Sequence, residues 1–294
     1  RNGKLFGSRS FRDHFISSMD IHEKRQSLML SAVPLPGYEG PGEMVLFSKN
    51  ILGDEDWVPF GSKRKSAGTS ITCTKALKEC SGHIFATGES NKTQAFLNCY
   101  DLDSQDNFND VKPHVSFVEH DSIITCMESV NSFPNTFASG SRDKTAKLWD
   151  IRQKTSYATL SCHDDIVTSI SSFERLLVTA GLDSKMHLFD LRMLGTGSTE
   201  NIAIRSISLE GIPILRVSVG PRGMGVAIAT MGGLFYYNLA SNTSNPAAPF
   251  PNAVPRNCYH DISWDLSRGL LYAGGEDTTI DLYKLQYGEQ GADE

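Results

Sequence analysis

His120, Ser139 and Asp143 are the three side-chain types that a serine hydrolase uses. A serine nucleophile needs an imidazole to take its proton, and the imidazole needs a carboxylate to hold it in the right orientation. The same types return as His163, Thr179 and Asp183, with Ser139 to Thr179 and Asp143 to Asp183 each 40 residues apart. A catalytic centre is not copied at a fixed period, so the set reads as bracing and no catalytic residue is assigned. Other candidates are weaker. His163-Asp164-Asp165 are adjacent on a turn, a poor arrangement for converging on one ion, so no metal or cofactor is expected. Gly220-Pro221-Arg222-Gly223-Met224-Gly225 lacks the Lys-Ser/Thr ending of a phosphate-binding loop and fits a tight hairpin turn. Cys73, Cys126 and Cys258 fall on or beside predicted strands, where small buried side chains are expected.

The elements that hold these residues repeat. The run 137–152 (FASGSRDKTAKLWDIR) is matched without a gap by 177–192 (LVTAGLDSKMHLFDLR), and Trp149 and Phe189 are also 40 apart. Asp277 and Tyr283 lie 94 residues beyond Asp183 and Phe189, two further periods of 47. Aromatic residues close an alternating apolar run at Phe47, Tyr100, Trp149, Phe189, Tyr237 and Tyr283. Before each lies a second short run: Ser27–Val33, His83–Thr87, Asn135–Ser139, Leu176–Thr179, Val226–Thr230 and Leu270–Ala273. A third run precedes that, as at Ile123–Val130, Ile166–Ser172 and Ile214–Val219. Short, evenly spaced strands between Gly, Asn, Asp and Ser clusters predict an all-β chain, and no long amphipathic helix is evident.

These residues resemble the WD-repeat family of β-propellers, most closely over 119–192, where Trp149-Asp150 ends a unit. The resemblance implies four-stranded blades. Six repeats are recognisable where the family suggests seven, so six or seven blades remain open. The expected organisation is a propeller over residues 11–287, an N-terminal strand within 1–10 that closes the last blade, and an acidic tail at 288–294. The resemblance also implies a buried tetrad of His, Ser or Thr, Asp and Trp in each well-formed blade. Its members here would be His120, Ser139, Asp143 and Trp149, then His163, Thr179 and Asp183 with Phe189 replacing Trp, and Asp277 near the end.

Partner-binding candidates lie on the two rims. Asp121, Arg142 and Lys144, with Asp164 and Asp165, are expected on loops of one rim. On the other, Asp150-Ile151-Arg152 and Asp190-Leu191-Arg192 form two Asp-x-Arg boxes. These resemble the boxes by which WD-repeat substrate receptors dock on the adaptor of cullin-RING ubiquitin ligases. The reading from the residues alone is pairing within the blade. The basic triplet Lys63-Arg64-Lys65 is placed on a loop entering the second blade, where nucleic acid or phospholipid could reach it.

Composition narrows the classes. The 294 residues are 39% hydrophobic and 21% charged, enough for one large core. A net charge of −6 argues against a broadly basic nucleic-acid binder. No apolar run is long enough to span a bilayer. Six cysteines without a CxxC pair suit a reducing compartment, cytoplasmic or nuclear. Arg1 in place of Met suggests part of a longer protein. The resulting expectation is a non-enzymatic scaffold within a multi-subunit complex, binding proteins through its loops. A ubiquitin-ligase substrate receptor is the alternative, and nucleic-acid or phospholipid binding a second.

Overall fold

Alternation of apolar and polar residues, cut at short intervals by turn formers, leaves the chain little choice but strands. The computed structural model describes residues 14–34, 41–49, 57–66, 68–80, 82–91, 93–104, 108–194, 203–240, 247–250, 253, 258–277 and 279–284. Among them are six antiparallel sheets, each built from strands consecutive in sequence. Sheet 1 holds β1 (His14–His22), β2 (Ser27–Pro34), β3 (Glu43–Lys49) and β4 (Trp57–Arg64). Sheet 2 holds β5 (Ser70–Ala76), β6 (Ile84–Ser90), β7 (Ala95–Asp101) and β8 (Val115–Phe117). Sheet 3 comprises β9 (Ile124–Ser129), β10 (Thr136–Ser141), β11 (Ala146–Asp150) and β12 (Ser156–Leu160). Sheet 4 comprises β13 (Val167–Phe173), β14 (Leu176–Gly181), β15 (Lys185–Asp190) and β16 (Arg205–Ser208). Sheet 5 has β17 (Ile214–Val219), β18 (Gly225–Thr230), β19 (Gly233–Asn238) and β20 (Ala248–Pro249). Sheet 6 has β21 (Tyr259–Asp265), β22 (Leu270–Gly275) and β23 (Ile280–Lys284).

The first strand of every sheet faces a common central channel of about 360 Å³. This is the radial plan of a β-propeller. Charges in the channel are paired. Lys75 Nζ lies 2.8 Å from Glu128 and 3.8 Å from Asp20, and Arg216 Nε lies 2.7 Å from Asp261. Burial opposes the charge on Lys75, but the two carboxylates outweigh it and raise its pKa. The expected segment 1–10 and tail 288–294 lie outside the described residues. So do residues 35–40, 105–107, 195–202 and 241–246.

Neighbouring sheets bury one another's faces. Between sheets 2 and 3, Ala86, Leu97 and Cys99 meet Ile124, Met127, Phe137 and Trp149. Between sheets 3 and 4, Ala138, Leu148 and Leu160 meet Val167, Ile170, Leu177 and Phe189. The same pattern holds from sheet 1 to 2, 4 to 5 and 5 to 6. A bulge lies at the start of each first strand, and in sheets 1 to 4 its residue adds a polar link. There the hydroxyls of Ser17, Thr72 and Thr168 each donate to a carbonyl of the next sheet: Ile71 at 2.7 Å, Ile124 at 2.6 Å and Ile214 at 2.7 Å. Thr125 donates likewise to Val167. Sheet 5 has Leu215 at this position and so no hydroxyl to give.

The close approach constrains glycine. A Cβ on Gly140 of β10 would stand 2.6 Å from Val167 and 2.7 Å from Cys126 Sγ. At the matching Gly88 of β6 it would stand 2.6 Å from Cys73 Sγ. The turn at Pro221–Gly223 joins β17 to β18, and Arg222 adopts φ 57° in it. All six cysteines are free thiols. Cys73 and Cys126 are buried as expected, whereas Cys258 is only half-buried.

Candidate functional site

The strand order of sheet 3 brings the first quartet together. β10 pairs with β9 and β11, which sets Ser139 beside Trp149, while the loop before β9 delivers His120 and the β10–β11 turn delivers Asp143. His120 Nδ1 lies 2.7 Å from Asp143 and its Nε2 2.8 Å from Ser139 Oγ, which also accepts from Trp149 Nε1 at 2.7 Å. Trp149 and Ser139 are fully buried. A fully buried hydroxyl already engaged by an indole N–H and an imidazole is placed to brace the sheet. Burial opposes ionisation of Asp143, but hydrogen bonds from His120 and Thr145 outweigh it and hold the carboxyl well below the usual range.

Sheet 4 repeats the set. His163 Nδ1 lies 3.1 Å from Asp183 and Nε2 2.9 Å from Thr179, with Phe189 packed where the indole would be. Asp277 is placed differently: it is exposed, and Oδ1 accepts from the Thr279 N–H at 3.2 Å in a local turn. Cys162, His163 and His187 have potential ligand atoms within 4.8 Å of one another. Both nitrogens of His163 are already committed to Asp183 and Thr179, so the cluster offers no three-ligand set as it stands.

The quartets also fix the rim. Asp143 accepts from the backbone N–H of Asp121 at 3.0 Å, and Asp183 from that of Asp164 at 2.9 Å. Each carboxylate therefore ties the loop before a sheet to the turn between its second and third strands. Asp121, Arg142, Lys144, Asp164 and Asp165 are all exposed on those loops. Lys185 pairs with Asp164, and together with Lys144 of the neighbouring sheet it lowers the pKa of Asp164. The result is an exposed rim of both signs on a fixed backbone.

On the opposite rim, Asp150 ends β11 and Asp190 ends β15, and each arginine lies in the turn beyond rather than on the strand. The turn folds Arg152 back so that Nε reaches Asp150 Oδ1 at 2.9 Å and Nη2 reaches Oδ2 at 2.6 Å. Arg192 grips Asp190 in the same bidentate way. Hydrogen bonding from Arg152 lowers the pKa of Asp150, and that from Arg192 holds Asp190 at about 2. Both guanidinium groups stay largely in solvent, at 67% and 57% side-chain exposure.

The basic triplet is not where the sequence suggested. Lys63 and Arg64 end β4, and Lys65 follows directly, so the run is strand edge rather than a free loop. Only Arg64 of the three is exposed. Lys63 donates to the Val111 carbonyl. Lys65 turns inward, its side chain 9% exposed, to pair with Glu89 at 2.7 Å and to donate to Tyr100. Glu89 also accepts from Tyr100 Oη at 2.9 Å and Thr87 Oγ1 at 2.6 Å. Thr87 and Tyr100 occupy the strand positions of Ser139 and Trp149. Sheet 2 is thus braced by a buried ion-pair network that sequence reasoning missed. Its signal was Thr87 and Tyr100 in repeat register with no histidine in the segment 65–69 before β5.

Comparison with known proteins agrees with this architecture. The family described as WD domain, G-beta repeat, matches residues 111–150 and 154–190, which carry the two quartets. The DENN domain and WD repeat-containing protein SCD1 of Arabidopsis thaliana is 22% identical over 228 residues. That match covers 72% of this chain and 18% of the Arabidopsis protein.

Proposed function

Because the chain is a WD-repeat protein, we propose that it is a non-enzymatic scaffold that holds protein partners on the rim formed by Asp121, Arg142, Lys144, Asp164 and Asp165. The observation that carries this is the double role of the quartets. The carboxylates that satisfy His120 and His163 also anchor the Asp121 and Asp164 amides, so charged side chains project from loops with little freedom to lose on binding. Mixed charge on such a rim suits a protein surface of complementary charge better than a polyanion. The partners are expected to form a multi-subunit complex. Six free thiols suit the cytoplasm or nucleus. Among the described residues no helix is long and apolar enough to cross a membrane.

A second reading is favoured by one observation: two exposed guanidinium groups, held in the same geometry on neighbouring sheets. Each retains N–H groups beyond those given to its aspartate and could bind carbonyls or carboxylates of a ubiquitin-ligase adaptor. Affinity purification of the tagged protein from its own cells separates the readings. Arg142→Glu with Lys144→Glu should remove the rim-bound partners while Tm is unchanged, and undiminished recovery would sink the rim assignment. Arg152→Ala with Arg192→Ala should leave those partners bound, and loss of a ligase adaptor in that variant alone would establish the second reading.

A further inference from the structure

Sheet 4 departs from sheet 3 at three positions around the quartet. Phe189 replaces Trp149, so the Thr179 hydroxyl receives no indole N–H. Cys162 stands before His163 where Glu119 stands before His120, and His187 pairs with Thr179 where Lys147 pairs with Ser139. In sheet 3 those two side chains have local partners: Glu119 accepts from Ser156 Oγ at 2.6 Å, and Lys147 donates to Thr159 Oγ1 at 3.1 Å. In sheet 4 they bring a thiol and a second imidazole to the quartet. Potential ligand atoms of Cys162, His163 and His187 all lie within 4.8 Å of one another.

His187 is the member that bracing does not explain. It is 6% exposed, and its ring stands edge-on to that of His163 with centroids 4.6 Å apart. Nδ1 lies 2.7 Å from Ser206 Oγ, whereas Nε2 is buried with no hydrogen-bond partner among the described residues. An orphaned polar atom at such a depth costs stability and calls for a role. A proton on Nδ1, donated to Ser206, leaves the Nε2 lone pair free, and outer partners hold metal-binding histidines in this way. His163 is set up alike: Asp183 takes Nδ1–H, and Nε2 accepts from Thr179 at 2.9 Å. Cys162 is only part-buried, which gives the cluster an entry from solvent.

We propose that Cys162 Sγ, His163 Nε2 and His187 Nε2 form a binding site for Zn²⁺, with water as the fourth ligand. One thiolate and two imidazoles are a donor set that Zn²⁺ takes in tetrahedral geometry, with ligand atoms about 3.3–3.6 Å apart. Drawing the three atoms in from within 4.8 Å needs shifts of about 1 Å, the size that a turn of the Cys162 side chain supplies. His163 is committed on both nitrogens until the ion arrives, and it joins by exchanging one bond. The Thr179 hydroxyl leaves Nε2, the ion takes its place, and the Cys162 thiol gives its proton to solvent. Asp183 stays on Nδ1 and keeps its hold on the Asp164 amide. The bound ion would tie the loop before β13 directly to β15.

Titration of the chelator-stripped chain with Co²⁺, which reports a thiolate ligand by an ultraviolet charge-transfer band, tests this with Zn²⁺ as competitor. A single equivalent should give the band, and Zn²⁺ should displace it. Cys162→Ser and His187→Gln should each abolish the band and weaken binding by about 100-fold or more. Cys258→Ser, in the exposed cluster of Cys258, His260 and Glu276, should change neither. Thr179→Val frees His163 Nε2 and should tighten binding, a gain that a purely structural role for these residues would not produce. A further measurement needs no variant: in alkylation followed by peptide mass mapping, Zn²⁺ should shield Cys162 and leave the part-buried Cys80 and Cys258 as reactive as before. Absence of the band, a band that survives Cys162→Ser or is lost in Cys258→Ser, or binding no tighter in Thr179→Val overturns the proposal. So does alkylation of Cys162 at the same rate with and without Zn²⁺.

Discussion

Ser139 Oγ sits between the Trp149 indole, which donates to it, and the His120 ring, and that decides what its removal costs. Trp149→Phe deletes one hydrogen bond and reproduces what Phe189 already does in sheet 4, so a loss of about 0.5–1.5 kcal/mol is expected. Ser139→Ala leaves the indole N–H and the imidazole Nε2 buried without their partner and should cost more, about 1–3 kcal/mol for each group left unsatisfied. Denaturant unfolding of the two variants checks the order, and an equal or reversed cost would contradict bracing. pH acts at the same scale. Burial, followed by electrostatic coupling to the neighbouring His163, depresses the pKa of His187 to about 4, from an ordinary value of 6.5. The unfolded state then takes up a proton below pH 6.5 that the folded state refuses down to about 4, so stability falls as pH drops through that window. His187→Gln should make the decline in Tm between pH 7 and 4 shallower, and an unchanged slope would show that this ring does not contribute.

Strand spans were legible because their periodicity is local. The runs expected at Leu176–Thr179 and Ile214–Val219 are β14 and β17 with at most two residues of difference. The six closing aromatics all fall on third strands, from Phe47 on β3 to Tyr283 on β23. What stayed hidden depends on contacts distant in sequence. Lys65 reads as a solvated lysine until β4 places it against Glu89, and the Asp-x-Arg pairs depend on a turn that sequence spacing does not describe. Inter-sheet spacing gives a test at this scale. Gly140→Ala forces a methyl against Val167 and Cys126 and should cost about 1–3 kcal/mol by overpacking. Gly274→Ala, at the matching position of β22 where a Cβ would meet nothing within 4 Å, should be neutral or slightly stabilising. Equal melting-temperature losses would mean that the two positions share an environment, against the geometry.

For the whole molecule, rigidity comes from the radial plan, with apolar faces pressed together in series, hydroxyls linking sheet to sheet at the bulges and paired charges in the channel. Such a frame holds loops at fixed separations, and the quartets carry that order to the rim bearing Arg142, Lys144 and Asp164. A photo-crosslinking side chain placed at Lys144, at Arg152 on the opposite rim, or at the outer-strand Ser116 reads partner position directly in cells. The rim assignment predicts partner adducts from position 144, few from 152 and none from 116. Adducts confined to 152, or equal at all three, would contradict it.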